Sequence, residues 1–274
     1  MVPAHSIRSS RVIIIPLILF LLCSCDQKNL DCTIVAGLSP LLKPGQVLLI
    51  GELHGTEEGP GYIRDITCNA LANGLAVSVG LELLQEDQQA INDYLLSQGT
   101  EKDQEKVLRL NFWGREYQDG RASMAMFQLI ENIRQLKQSG NDVDLVFIDD
   151  PSFGDRNQVM ANRILKEAED YPNRFIVVLT GNYHNMIWDG SGQMGELVLE
   201  GLGPDRVVSL VQSYTGGSAW VDVAGEGFGP IGLKGSGMLP KGIYLNANLG
   251  EYHGTLEIDS IHHSRPAKEL LNNK

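Results

Sequence analysis

Four short, nearly continuous apolar runs punctuate the chain: Val47–Ile50, Ala76–Leu81, Leu145–Ile148 and Phe175–Leu179. Runs of this length, rich in β-branched residues and not alternating with polar ones, read as strands buried on both faces of a parallel sheet. Between them, apolar residues recur every three or four positions, which predicts helices over Tyr62–Asn73, Asp87–Leu96, Arg121–Leu136 and Asp155–Ala168. Strands alternating with helices imply right-handed crossovers and an α/β fold, a mostly parallel sheet flanked by helices. A fifth strand, Val207–Val211, follows a helical pattern near Met194–Leu199. Beyond it Gly216–Gly242 is crowded with glycine. There Trp220–Val223, Ile243–Leu245 and Thr255–Ile258 read as extra short edge or antiparallel strands towards the C-terminus. The polar tail His262–Lys274 is expected to fray.

The N-terminus follows a different logic. Two arginines and no acid precede Val12–Leu22, eleven residues apolar apart from Pro16, and Cys23-Ser24-Cys25 follows. That is the pattern of a signal peptide over residues 1–24. Eleven residues make about 16 Å of helix, roughly half the hydrocarbon core of a bilayer, which is too short to span it. Leu22-Cys23-Ser24-Cys25 resembles a bacterial lipobox with the lipid on Cys25; ordinary secretion with cleavage nearby is the alternative. The expectation is a bacterial envelope protein held to the membrane by its lipid and facing the periplasm or the exterior. Asp26 resembles the signal that retains enterobacterial lipoproteins on the inner membrane.

Charge narrows the partners. The formal net charge is −12, and it becomes −14 once Arg8 and Arg11 leave with the leader. So acidic a body repels phosphate backbones, which argues against nucleic acid. Residues 33–262 suffice for a single domain, with no linker or repeat to divide them. Besides Cys25, the mature chain carries Cys32 and Cys68, which an oxidising envelope allows either to pair or to stay as buried thiols.

Chemistry concentrates where the four runs stop. Gly51-Glu52-Leu53-His54-Gly55 follows the first, Glu82 the second, Asp149-Asp150 the third and Gly181-Asn182-Tyr183-His184-Asn185 the fourth. The carboxyl ends of parallel strands share one edge of an open α/β sheet, and ligands bind in the crevice there. Glu52, His54, Glu82 and His184 are therefore the candidate catalytic residues, with Asp149, Asn182 and Tyr183 as candidate substrate contacts. Glu52 and His54, two apart on an extended end, point to one side, and a carboxylate beside an imidazole suits a general base. The same four residues could hold a divalent zinc, manganese or iron ion, although no HExxH or CxxC spacing supports it. Serine chemistry lacks a GxSxG elbow, a phosphate loop is absent, and Cys68 falls within a helix. His253, His262 and His263 read as exposed, with a metal contact at the last two a minor alternative.

Taken together these motifs resemble the superfamily that joins erythromycin esterases, ChaN-like haem-binding uptake proteins and TIKI-type proteases. Gly51-Glu52-Leu53-His54-Gly55-Thr56-Glu57-Glu58 is similar to the esterase signature GE-x(1–2)-HG-T-x-E, and its single-residue gap is closer to the ChaN branch. Arg156-Asn157-Gln158-Val159-Met160-Ala161-Asn162 is similar to an esterase segment that begins Arg-Asp. Glu82 and Gly181–Asn185 match the family's second acid and second histidine, so the likeness covers about residues 45–215. The chain departs in carrying no further histidine shortly after His54, and it lacks the length of the esterases.

The resemblance implies a hydrolase acting on an ester or amide bond of a small molecule or peptide. His54 would activate water, Glu52 would orient it, Glu82 and His184 would stabilise or protonate, and Arg156 would bind the oxyanion or a substrate carboxylate. The other expectation is a binding module that holds haem or a metal, with Tyr183, His184 or His54 as axial ligand. A purely structural lipoprotein ranks last. Specificity is expected in the loops Asn111–Arg121 and Gly225–Gly242.

Overall fold

The computed structural model describes residues 1, 32–152, 154–222, 228–246 and 249–271. The leader and Cys25 lie outside the described residues. Parallel strands β1 (Val47–Glu52), β2 (Val77–Leu84), β3 (Val143–Asp149) and β4 (Phe175–Gly181) extend the four apolar runs by a few residues each. With β5 (Val207–Asp222), β6 (Phe228–Lys234), β7 (Gly242–Leu245) and β8 (Gly254–Ile261) they form one eight-stranded sheet in the order β3-β2-β4-β1-β5-β8-β7, with β6 beside β5. β6 and β7 are the antiparallel members, pairing β5 and β8 respectively. The mostly parallel α/β sheet with antiparallel additions near the C-terminus is the expected architecture.

Alternation within β1 shows why a continuous apolar run was needed. Leu48 and Ile50 enter one core with Ile63 and Ile66 of α1 (Glu58–Ala72), Ile91 of α2 (Gln88–Leu96) and Ile130 of α5 (Met124–Gln138). Val47 and Leu49 enter the other, with Ile164 of α6 (Arg156–Asp170) and Val198 of α7 (Met194–Leu202). Helices thus cover both faces, and the central strands have no solvated side.

Several expectations change. Val207–Val211 and Trp220–Val223 are not separate strands: β5 runs through both as far as Asp222, pairing β1 and β8 along its first part and β6 along its second. Residues 228–234 of the supposed Gly225–Gly242 specificity loop are β6. The loop from Asn111 begins as a short helix, α4 (Asn111–Gly114), that buries Phe112 and Trp113. Before it, α3 (Glu101–Leu108) is too polar for a periodicity signal but opens with a Thr100–Asp103 capping box.

The C-terminal tail does not fray within residues 262–271. It bridges Thr56 through His263 and Ser123 through Pro266, and Ala267 is buried. Cys32 and Cys68 are joined in a disulfide that ties the segment before β1 to α1.

Candidate functional site

Six of the residues singled out in the sequence meet at the carboxyl edge of β1–β4. Glu52 ends β1, and its Oε1 lies 3.0 Å from His54 Nδ1. The other imidazole nitrogen, Nε2, is 3.3 Å from Glu82 Oε2. Glu82 also accepts the Gly181 backbone N–H at 2.7 Å and Arg156 Nη2 at 2.6 Å. Asp149 takes Arg156 through both carboxylate oxygens, each at 2.6 Å. His184 closes the group, with Nε2 3.3 Å from Arg156 Nη1 and 3.8 Å from Glu82 Oε1.

Close approach makes this possible at two glycines. Gly59, in the first turn of α1, lies against Glu52, and an added Cβ would overlap Glu52 Oε2. Gly55 turns the chain away after His54 with φ +80°, and a side chain there would strike the Trp220 carbonyl.

Arg121 is a central member that sequence reasoning missed. Its Nη1 reaches Glu82 Oε1 at 3.1 Å and Asp149 Oδ2 at 3.0 Å, while its Nε and Nη2 hold Asp119. The residue stood at the start of a predicted helix, where a charge reads as ordinary surface. A guanidinium carries five N–H groups. Among the described residues, Arg121 and Arg156 each use four within this cluster, leaving one on each. Both line a cleft of about 310 Å³ with His54, Glu82, Asp119, Gly181, Tyr183 and His184.

The two histidines differ in protonation. Both nitrogens of His54 face carboxylates, which only accept, so both must donate. Burial opposes the charge, but attraction to Glu82 and hydrogen bonds to Glu52 and Glu82 push its pKa up to about 10. These contacts favour the imidazolium form of His54. His184 behaves oppositely: burial, helped by nearby Arg156 and His54 against the pull of Glu82, lowers its pKa. Burial works to raise Glu82, yet His54, Arg121 and His184 together hold it well below the usual carboxylate range. Glu52 moves up, because burial and repulsion from Glu82 outweigh the His54 contact, and its Oε2 has no hydrogen-bond partner.

The remaining candidates divide. Tyr183 stands on the cleft rim, 74% exposed. Asn182 serves locally, its carbonyl accepting the Tyr252 hydroxyl at 3.0 Å. Asp150 binds Ser152 outside the cluster. Of the four candidate metal ligands, Glu82 and His54 are fully engaged within the cluster, whereas Glu52 Oε2 has no hydrogen-bond partner. Among the described residues no group of three or more His, Cys, Asp or Glu side chains is placed to hold one. Of the candidate axial haem ligands, His54 and His184 have partners at both ring nitrogens, while Tyr183 is exposed on the rim. His253 and His263 are half-buried and bonded to Ser209 and Ser218, not exposed. His262 is exposed and pairs with Glu58 at 2.8 Å.

No family model and no curated protein matches the chain by sequence. Its fold does match solved structures. A Bacillus cereus protein superposes with a TM-score of 0.62 at 12% identity, covering 84% of this chain and 92% of that one. A succinoglycan biosynthesis protein gives 0.61 at 10% identity, covering 83% and 91%. A mutant of the erythromycin esterase EreC in its open conformation gives 0.59 at 11% identity, covering 84% and 94%. The chain therefore shares its fold with an erythromycin esterase, the family its motifs resemble.

Proposed function

We propose that the chain is a hydrolase of ester or amide bonds, working at the Glu52–His54–Glu82–His184 edge. The observation that carries this reading is the contrasting contacts of two imidazoles on either side of Glu82: His54 faces carboxylates at both nitrogens, which favours its charged form, and His184 faces the Arg156 guanidinium through Nε2, which favours its neutral form. Hydrolysis needs a base for water and an acid for the leaving group, and environments that drive two groups' pKa values apart supply both.

His184 Nε2 is the base. Its contact to Arg156 Nη1, at 3.3 Å, is long enough to yield to an inserted water. The spare N–H groups of Arg156 and Arg121 meet the oxygen that becomes negative as water adds to the carbonyl. His54 gives its proton to the leaving oxygen or nitrogen as the C–O or C–N bond breaks, so that it departs as a neutral alcohol or amine and not as an anion. Glu82 holds both rings and both guanidiniums in register, Asp149 fixes the arginines, and Tyr183 meets substrate at the rim.

The setting goes with the chemistry. The basic and apolar leader and the lipobox-like Leu22–Cys25 support an envelope lipoprotein anchored through Cys25 and facing the periplasm or exterior. Labelling with radioactive palmitate, lost in Cys25→Ser, tests the anchor.

Turnover on a panel of alkyl esters and short peptides tests the reaction. His184→Ala and His54→Ala should each lower kcat by about 10²-fold or more with the fold intact. Unchanged rates in either variant would remove that histidine's role, and a panel with no turnover at all would remove the hydrolase.

A further inference from the structure

Adjacent residues at the start of α6 grip His184 from both ends of its ring. Arg156 Nη1 lies 3.3 Å from Nε2 and Asn157 Oδ1 lies 2.7 Å from Nδ1. Asp155 caps this helix through the backbone N–H groups of Asn157 and Gln158, which fixes where both side chains start. A guanidinium has donors and no acceptor, so the Nε2 that faces it carries the lone pair. In a neutral imidazole the proton then sits on Nδ1, and the Asn157 group that meets it is the amide oxygen.

We infer that Asn157 is a positioning residue that holds His184 in the Nδ1–H tautomer, ring plane fixed and Nε2 lone pair turned to the cleft. This rests on the reading of His184 as the base. Neutral asparagine is suited to the task, since it fixes the proton on Nδ1 without adding the negative charge that would favour a second proton on the ring. Arg156 alone cannot do this. It disfavours a proton on Nε2, but it leaves the ring free to swing about its own axis with Nδ1–H unpartnered. Asn157 supplies the second point that stops the swing, as the buried partner of a base commonly does.

Nitrogen-15 NMR of the mature chain with labelled histidine reads the tautomer without any substrate. Wild type should show His184 as a single Nδ1–H form with a slowly exchanging ring proton. Asn157→Leu, of similar shape but with no acceptor, should lose that proton signal and average the two ring nitrogens, while Asn157→Asp should restore the Nδ1–H signal. The second arm is p-nitrophenyl acetate, whose leaving group needs no acid and so reports the base alone. There Asn157→Leu should lower kcat about tenfold or more with KM unchanged, within what a positioned base contributes.

A wild-type ring protonated on Nε2, or an Asn157→Leu ring with the wild-type pattern, overturns the inference. Absence of p-nitrophenyl acetate turnover in wild type counts against hydrolysis, and the NMR comparison still decides the role of Asn157.

Discussion

His54 Nδ1 lies 3.0 Å from Glu52 Oε1, and this contact orients the ring so that Nε2 meets Glu82. The imidazolium so formed links site and stability. With a folded pKa of about 10, above the ordinary value near 6.5, His54 binds its proton more tightly folded than unfolded. Its contribution, at most about 5 kcal/mol, is then complete below pH 6.5 and lost as pH rises towards 10. Thermal unfolding of wild type and His54→Asn should differ most near pH 6 and converge by pH 10. A difference that stays constant with pH would show that His54 is not charged.

The same two histidines set the pH dependence of turnover. His184 must be deprotonated, and its pKa lies below 6.5, so the rate on an alkyl ester should rise through that region. His54 must keep its proton, so the rate should fall again as pH passes about 10. In His54→Gln the upper limb should vanish while the lower limb remains. Loss of the lower limb instead would make His54 the base.

Two glycines in one helix give a matched test of packing. Gly61 has open space where a Cβ would go, whereas a Cβ on Gly59 would meet Glu52 Oε2. Alanine is the better helix former by up to about 1 kcal/mol. Gly61→Ala should therefore stabilise slightly, and Gly59→Ala should destabilise by about 1–3 kcal/mol, the usual cost of overpacking. Gly59→Ala should also bring the His54 pKa down as Glu52 is pushed off its ring. Equal effects at both positions in urea unfolding would contradict the close packing of Glu52 beneath α1.

What the sequence made legible was the part built from local pattern. β1 to β4 could be read because a strand covered on both faces must be apolar throughout, and the polar residues that end such runs had to lie on one edge. That placed Glu52, Glu82, Asp149 and His184 together. Arg121 escaped because it enters from the loop before α5, not from a strand end. The protonation of His54 and His184 escaped for another reason: it depends on whether the second ring nitrogen meets Glu82 or Arg156, and those partners are distant in sequence. The strand β5 was cut in two by the pattern at Gly216-Gly217, which in the sheet stay within its ladder with β8 and β6.

Cys32–Cys68 closes a loop with a sequence separation of 36. Loop-closure entropy puts its contribution at about 4 kcal/mol. Reduction with dithiothreitol, or the paired change Cys32→Ser with Cys68→Ser, should lower the unfolding midpoint by about 10 °C for a protein of this size. Ester turnover below the transition should be unchanged, since the bridge joins α1 to the segment before β1 and touches no site residue.

The C-terminal tail is the remaining link between the two halves of the site. The Glu57 N–H donates to the His262 carbonyl and the Ser264 N–H to the Gly55 carbonyl, both at 2.9 Å, just after His54. The Met124 N–H donates to the Arg265 carbonyl at 2.7 Å and the Ala267 N–H to the Ala122 carbonyl at 2.9 Å, just after Arg121. One short segment thus sets the spacing between the charged histidine and the arginine that shares Glu82 with it. Each bond contributes about 1 kcal/mol net, so ending the chain at Ile261 should cost more than about 4 kcal/mol, since the buried Ser264 and Ala267 and the His262–Glu58 pair go with them. Circular dichroism should still report the α/β sheet, but kcat should fall about tenfold as Arg121 drifts from Glu82, with KM less affected. A truncated chain with wild-type kcat would show that β1 and α5 hold His54 and Arg121 in place unaided.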